Sequence, residues 1–203
     1  MNAALRIAQI GPNAITQVTG AMERELGRDP ARDLLRSMGF GQYVDAPPRG
    51  MVDELEVIAL HTAVREKLPT GTFRSVEIAA GQSTADYLLA HRIPVLLQKL
   101  MRILPRAWSS RLLLAAIARH AWTFTGSGRC TVQAGRPAII TIEGCAICCG
   151  AHAAQPQCDY YAATFARLFA ELVDRRAKVV ETECIAAGAR ACRFRIDWNC
   201  GLP

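Results

Sequence analysis

The residues with the clearest chemical potential are the cysteines in the last third of the chain. The sequence contains eight cysteines, and none of them lies in the first 129 residues. Glu181 stands three residues before Cys184, and Cys192 follows after seven more residues. With Cys158, at the start of the preceding helical pattern, they supply three thiolates and one carboxylate. Such a set can close a tetrahedral site, which is the geometry of structural zinc.

The spacing of Glu181 and Cys184 raises an objection to this site. The two residues are an odd number of positions apart, so in a regular strand they point to opposite faces. Both can bind one ion only if the strand bends or ends near Glu183. Four anionic ligands leave a divalent site at about −2, which Arg190 or Arg193 could balance. The alternative is that these cysteines are small buried hydrophobic residues. Spacing alone leaves both interpretations open.

A second group consists of Cys145, Cys148 and Cys149, and it contains a C-x-x-C pattern. This pattern is compatible with a redox pair, half of a zinc site, or part of an iron–sulfur site. It is equally compatible with a tightly packed turn between Gly144 and Gly150. Because the N-terminus shows no secretory signal, we expect reduced thiols, so metal or redox chemistry outranks a disulfide framework.

Charge is distributed unevenly along the chain. The formal net charge is +6, yet no acidic residue occurs between Asp86 and Glu143. The cations of this acid-free stretch are Arg92, Lys99, Arg102, Arg106, Arg111, Arg119, Arg129 and Arg136. The stretch is either an ordinary solvated face or a docking face for a phosphate, a carboxylate, an acidic protein or a membrane surface. No finger spacing or helix-turn-helix pattern accompanies the charge, so we do not expect nucleic acid as a partner.

The elements that must position these residues change type near residue 128. Helices are predicted at 51–67, at 84–104 with an interruption at Pro94, and from a cap at Ser109 or Ser110 to His120. The second predicted helix repeats apolar residues at steps of three and four, including Leu96 and Leu100. Strands are predicted at 130–133, 138–142, 177–185 and 192–198, with a helix at 158–176. The expected fold class is α+β, with a mainly helical part, 1–128, and an α+β zinc-binding module, 129–203, in one compact unit.

The motifs that are missing narrow the function. There is no G-x-G-x-x-G, Walker loop, H-E-x-x-H or G-x-S-x-G pattern. Gly126-Ser-Gly128 precedes a predicted strand, so it offers no helix N-terminus to a pyrophosphate. The longest apolar run, 112–118, is far shorter than the roughly 20 residues that span a bilayer. We therefore expect a cytoplasmic protein that is not transmembrane.

Two motifs resemble the 4-vinyl-reductase-like family of small-molecule-binding domains. They are Cys158-Asp-Tyr-Tyr-Ala-Ala-Thr-Phe165, and Glu181-Thr-Glu-Cys184 continuing through Gly188 to Cys192-Arg-Phe194. The resemblance implies a structural zinc bound by Cys158, Glu181, Cys184 and Cys192. It also implies helices packed on a twisted antiparallel sheet, a fold that resembles haem-based nitric-oxide sensors and Golgi transport subunits, with a ligand cavity between the layers.

Three further segments resemble the branch of this family that serves bacteriochlorophyll biosynthesis and photosynthesis. These segments are Ile10 to Gln17, Tyr87 to Pro94 and His120 to Gly128. The resemblance implies a tetrapyrrole ligand such as magnesium-protoporphyrin. The expected partners are the porphyrin-binding subunit of magnesium chelatase, the following methyltransferase, and a second copy of the chain.

The resemblance leaves the activity open between three functions. The first is binding and delivery of a tetrapyrrole between pathway enzymes. The others are reduction of a divinyl (4-vinyl/8-vinyl) protochlorophyllide and small-molecule sensing by a regulatory domain. A reductase needs a hydride or electron source, and no motif supplies one, so a carrier without catalytic residues is favoured. The expected ligand-binding residues are His91 and His120 as axial ligands, Arg92 and Arg119 toward propionates, and Trp122 and Phe124 as apolar walls.

Overall fold

The computed structural model describes residues 8–198, so Cys200 lies outside the described residues. The described helices are α1 Asn13–Leu26, α2 Arg28–Ser37, α3 Gln42–Asp45, α4 Glu54–Lys67, α5 Thr70–His91, α6 Val95–Ile103, α7 Arg106–His120, α8 Trp122–Thr125 and α9 Asp159–Leu172. The strands are β1 Gln9–Ile10, β2 Val52–Asp53, β3 Arg129–Gln133, β4 Ala138–Glu143, β5 Lys178–Glu183 and β6 Cys192–Asp197. The predicted α+β class is confirmed.

Prolines determine where several helices begin and end. The predicted interruption at Pro94 is present, since α5 ends at His91 and α6 begins directly after this proline. A proline lacks the N–H that a continuous helix requires and restricts the residue before it. The predicted cap at Ser109 or Ser110 is wrong. Pro105 precedes α7, and Ser109 is buried inside the helix, where its hydroxyl donates to the carbonyl of Met101 at 2.6 Å.

The main sheet is entirely antiparallel, in the order β3-β4-β6-β5. Strand β6 alternates as predicted, with Phe194 and Ile196 buried on one face and Arg195 exposed on the other. Helix α9 covers the buried face, where the rings of Phe165 and Phe194 meet edge to face with centroids 5.4 Å apart. The sheet therefore has one wet face and one face packed against a helix.

Helix α5 packs across the other side of α9 through Gly81. A Cβ atom at this position would lie 2.2 Å from the Tyr160 carbonyl oxygen and 2.9 Å from the Ala163 Cβ. Only glycine permits this approach, because it carries no side chain. Buried residues on both sides of the predicted division at residue 128 belong to one continuous hydrophobic core.

A buried polar pair lies within the helical part of this core. His61 on α4 and Glu77 on α5 are both fully buried, with Nδ1 of the histidine 2.9 Å from Oε1 of the glutamate. The opposite ring nitrogen, Nε2, donates to the Ala14 carbonyl at 3.1 Å. The pair therefore ties α1, α4 and α5 together.

Candidate metal centre and ligand surface

Five buried cysteines gather where α9 begins, β5 ends and β6 begins. A short 3₁₀ turn at Ala146–Cys148 brings two of them to this point. The five are free thiols, and they are Cys145, Cys148, Cys158, Cys184 and Cys192. Their closest sulfur–sulfur separations are far longer than the roughly 2.05 Å of a disulfide bond. The cluster therefore consists of separate thiols packed against one another.

A β-bulge in β5 answers the objection raised by the spacing of Glu181 and Cys184. Glu181 pairs with Phe194, but Glu183 pairs with Arg193, which leaves one extra residue on β5. Such a bulge shifts the alternation of side chains by one position. Cys184 consequently joins the face of the sheet that carries Glu181. The parity argument assumed a regular strand, and the strand is not regular.

The distances among the predicted ligands fit a tetrahedral ion. The ligand atoms of Cys158, Glu181, Cys184 and Cys192 all lie within 4.8 Å of one another. Zinc–sulfur bonds of about 2.3 Å place two thiolates of a tetrahedral site about 3.8 Å apart. The sulfur of Cys192 lies 3.5 Å from that of Cys158 and 3.9 Å from that of Cys184. The cluster thus already has the dimensions of a zinc site.

The Glu181 carboxylate has an oxygen that needs a cation. One oxygen, Oε2, accepts from the backbone N–H of Cys158 at 2.8 Å. The other, Oε1, is buried and accepts no hydrogen bond from the described part of the chain. Burial raises the pKa of Glu181 to about 8, because the ionised carboxylate loses its hydration. A bound metal ion would supply the missing positive charge, so these residues fit zinc.

The remaining cysteines divide between the cluster and the surface. Cys145 and Cys148 lie inside it, with sulfurs 3.5 Å from Cys158 and 3.3 Å from Cys192, respectively. Cys149 is exposed, whereas burial raises the pKa of the half-buried Cys130 on β3 to about 11. The C-x-x-C pattern was the only signal for Cys145 and Cys148. It did not show that they join the other ligands.

The first predicted ligand-binding segment ends helix α5. His91 and Arg92 are both exposed there. The Tyr87 ring lies between them, with its centroid 4.8 Å from the His91 ring and 5.9 Å from the Arg92 guanidinium. The segment therefore presents an imidazole, an aromatic ring and a cation together at the surface.

The second predicted segment spans the junction of α7 and α8. Arg119, His120 and Trp122 are exposed, and Trp122 exposes 62% of its surface. Phe124 is half-buried, with its ring centroid 5.8 Å from that of Tyr161 on α9. No hydrogen bond, ion pair or ring contact joins the two segments within residues 8–198. Their joint role in binding a ligand stays a prediction.

Helix α6 presents apolar side chains to solvent. The sequence pattern favoured Leu96 and Leu100 as core residues, but they are 80% and 44% exposed. Gln98 and Met101 face the core instead, and Gln98 donates to the carbonyl oxygens of Leu89 and Ile93. Pro94 explains the difference, because a new helix begins there with its own rotation.

The acid-free stretch surrounds these apolar residues with cations. Arg102 pairs with Glu171 and Arg106 pairs with Asp174, both of which lie in or just after α9. The other six cations form no ion pair with any described residue. The large exposed apolar residues of α6 and α7 are Val95, Leu96, Leu97, Leu100, Ile103, Trp108 and Leu112. We call α6 and α7 with these residues the α6–α7 face.

A shallow cavity of about 210 Å³ lies beside this face, between α7, the β3–β4 turn and Trp198. Arg111 and Arg136 line it. Cavities that enclose drug-sized ligands measure roughly 300–1,000 Å³, so this one is too small to enclose a tetrapyrrole. In the described part of the chain, no helix is both long and apolar enough to cross a membrane.

Comparison with known proteins places this geometry among relatives. A family model of the 4-vinyl-reductase domain, the domain that the cysteine motifs resemble, matches residues 138–197, which contain the thiol cluster. The chain is 41% identical over 188 residues to the bacteriochlorophyll synthase 23 kDa chain of Cereibacter sphaeroides, covering 93% of this chain and 90% of that one. It is 38% identical over 186 residues to the protein of the same name from Rhodobacter capsulatus, covering 92% and 85%.

The fold also resembles solved structures of haem proteins. A structure described as probing haem distortion in the H-NOX family superposes with a TM-score of 0.53 and covers 95% of this chain and 97% of that one. The two sequences are 13% identical, so the likeness concerns the fold alone. It agrees with the predicted arrangement of helices packed on an antiparallel sheet.

Proposed function

Because this chain belongs to the family of the bacteriochlorophyll synthase 23 kDa chain, and so to bacteriochlorophyll biosynthesis, we propose that it binds and delivers a tetrapyrrole intermediate. The proposed ligand is magnesium-protoporphyrin or a close relative. Delivery runs from the porphyrin-binding subunit of magnesium chelatase to the following methyltransferase. The proposal locates this exchange in the cytoplasm and allows a second copy of the chain as a partner.

The junction of α7 and α8 is the observation that carries the proposal. Within four residues it exposes a cation, an imidazole and an indole, from Arg119, His120 and Trp122. A tetrapyrrole is a flat apolar disc with carboxylates at one edge, and magnesium at its centre accepts an axial ligand. The three side chains match these three properties. An arginine binds a carboxylate through charge-assisted hydrogen bonds, and a neutral imidazole can coordinate the metal.

The α6–α7 face supports delivery as well as binding. Exposed patches of large apolar residues with cations around them are typical of sites that bind another molecule. A carrier needs such a face twice, once to receive its ligand and once to dock on the enzyme that takes it. The absence of acidic residues from 87 to 142 favours partners with negative charge.

A structural zinc at Cys158, Glu181, Cys184 and Cys192 is the second part of the proposal. Its support is the separation of the sulfurs and the unpartnered oxygen of Glu181. Four protein ligands leave no open position for substrate, so the zinc would stabilise the fold rather than act in catalysis. It would tie the first residue before α9 to both strands of the β5–β6 hairpin.

A spectroscopic titration tests tetrapyrrole binding directly. Purified protein is titrated with magnesium-protoporphyrin and with a divinyl protochlorophyllide, each with and without a reduced nicotinamide cofactor. A carrier shifts the Soret band and leaves both tetrapyrroles chemically unchanged. Turnover of the divinyl compound at a rate proportional to protein concentration would instead establish the reductase. No shift with either tetrapyrrole would overturn both functions.

Three variants then locate the ligand. Trp122→Ala should weaken binding at least several-fold, because it removes an apolar wall, while the zinc content stays unchanged. His91→Ala and His120→Ala test axial coordination separately. Loss of the true axial ligand should alter the spectrum of bound magnesium-porphyrin and leave binding of metal-free porphyrin intact. If all three variants bind normally, the ligand site lies elsewhere.

A further inference from the structure

The thiol cluster contains two overlapping sets of four ligands. One set is the predicted zinc site described above. The other consists of Cys145, Cys148, Cys158 and Cys192, whose four sulfurs also lie within 4.8 Å of one another. The two sets share Cys158 and Cys192, and each adds two ligands of its own.

We propose that this cluster binds two zinc ions that share the thiolates of Cys158 and Cys192. The first ion takes Glu181 and Cys184 as its other ligands. The second ion takes Cys145 and Cys148. Six side chains then give four donors to each ion, because a thiolate sulfur has enough lone pairs to bind two metals. Both sites are closed, as structural zinc requires.

The positions of the two shared sulfurs support bridging. They lie 3.5 Å apart, close to the roughly 3.8 Å edge of a zinc–thiolate tetrahedron. Each shared sulfur also has a close neighbour in the second set, with Cys145 3.5 Å from Cys158 and Cys148 3.3 Å from Cys192. The shared pair therefore lies in the middle of the cluster and the unshared ligands lie around it.

A single ion would leave two buried thiols without a role. If it bound the predicted set, Cys145 and Cys148 would lie in the core beside it, at 1% and 0% exposure. Both would be packed against thiolates and could offer only weak S–H donors. A second ion gives each of these sulfurs a strong partner.

The charge balance also favours two ions. Metal-bound cysteines are thiolates, so five thiolates and one carboxylate with two divalent ions leave a formal charge of about −2. One ion with the same ligands would leave about −4. Arg65 supplies a nearby cation, since its guanidinium donates to the carbonyl of Ile147 at 2.6 Å in the turn that holds the second set. Its Nε is buried and has no hydrogen-bond partner in the part of the chain that the structure describes.

Metal counting on the intact chain tests the proposal. Protein purified with zinc is analysed by elemental analysis and by native mass spectrometry. We expect two zinc ions per chain in the wild type and one in the double variant Cys145→Ser/Cys148→Ser. The matched control, Cys130→Ser/Cys149→Ser, removes two cysteines outside the cluster and should keep two ions. One ion in the wild type, or two ions retained by the cluster variant, would overturn the proposal.

Cobalt substitution tests the bridge itself and needs no variant. The protein is stripped and titrated with Co²⁺, and the EPR intensity per cobalt is followed. Two cobalt ions that share thiolates are magnetically coupled, so the intensity per ion should fall as the second equivalent binds. Two bound ions with undiminished intensity would show separate sites and refute the bridge. Neither readout depends on tetrapyrrole binding, so the proposed function and the two-ion site can fail independently.

Discussion

The contact of α5 with α9 at Gly81 offers a sharp test of the fold that supports the thiol cluster. In Gly81→Ala the new Cβ would lie 2.2 Å from the Tyr160 carbonyl oxygen, whereas ordinary contacts begin near 3.4 Å. The helices must therefore separate by about 1 Å. The obstructing atom belongs to the backbone, so a change of rotamer cannot relieve the overlap.

The expected loss of stability follows from two opposing effects. Overpacking a close-packed interior costs about 1–3 kcal/mol, and a backbone clash belongs at the upper end of that range. Alanine in a helix is favoured over glycine by about 1 kcal/mol. The free energy of unfolding should therefore fall by about 2 kcal/mol. For a chain of this length that corresponds to a melting temperature lower by about 4–8 °C.

Gly71→Ala is the matched control in the same helix. A Cβ at position 71 meets nothing within 4 Å. This variant should therefore leave stability unchanged or raise it by up to about 1 kcal/mol. Urea unfolding of zinc-saturated protein, followed by circular dichroism, measures both variants. Equal midpoints for Gly81→Ala and Gly71→Ala would refute the assigned helix contact. The first variant should also retain zinc less tightly, because Tyr160 is two residues from Cys158.

Three other substitutions test the metal centre, the charged surface and the buried pair. Cys184→Ser should make the protein insoluble or much less heat-stable, and well-folded wild-type protein without zinc by elemental analysis would contradict this. Reversing Lys99 and Arg111 to Glu should weaken tetrapyrrole or partner binding and its dependence on salt without unfolding the chain; titrations unaffected by both salt and reversal would indicate an ordinary solvated face. Glu77→Leu should cost about 3–5 kcal/mol in urea unfolding, because it leaves the buried His61 ring without its partner. A wild-type midpoint would show that the pair is dispensable.

Local patterns were sufficient to predict the elements around the site. Pro94 separates α5 from α6 because it cannot donate a helical hydrogen bond. The alternation along β6 identified its buried face, since successive side chains of a strand point to opposite sides. Cys158, Glu181 and Cys184 were identified from residue type and spacing together with the family resemblance. Each of these inferences uses residues that are close together in the chain.

The tertiary structure decided what depends on residues far apart. The bulge at β5 follows from its pairing with β6, and it brings Glu181 and Cys184 to one face against the simple alternation. Cys145 and Cys148 join the other ligands because the 3₁₀ turn packs beside the start of α9. His61 and Glu77 pair because α4 and α5 meet in the core. Spacing along a chain describes which faces an element has, but packing decides which face is buried and against what, and the thiol cluster and the exposed leucines of α6 both depend on that choice.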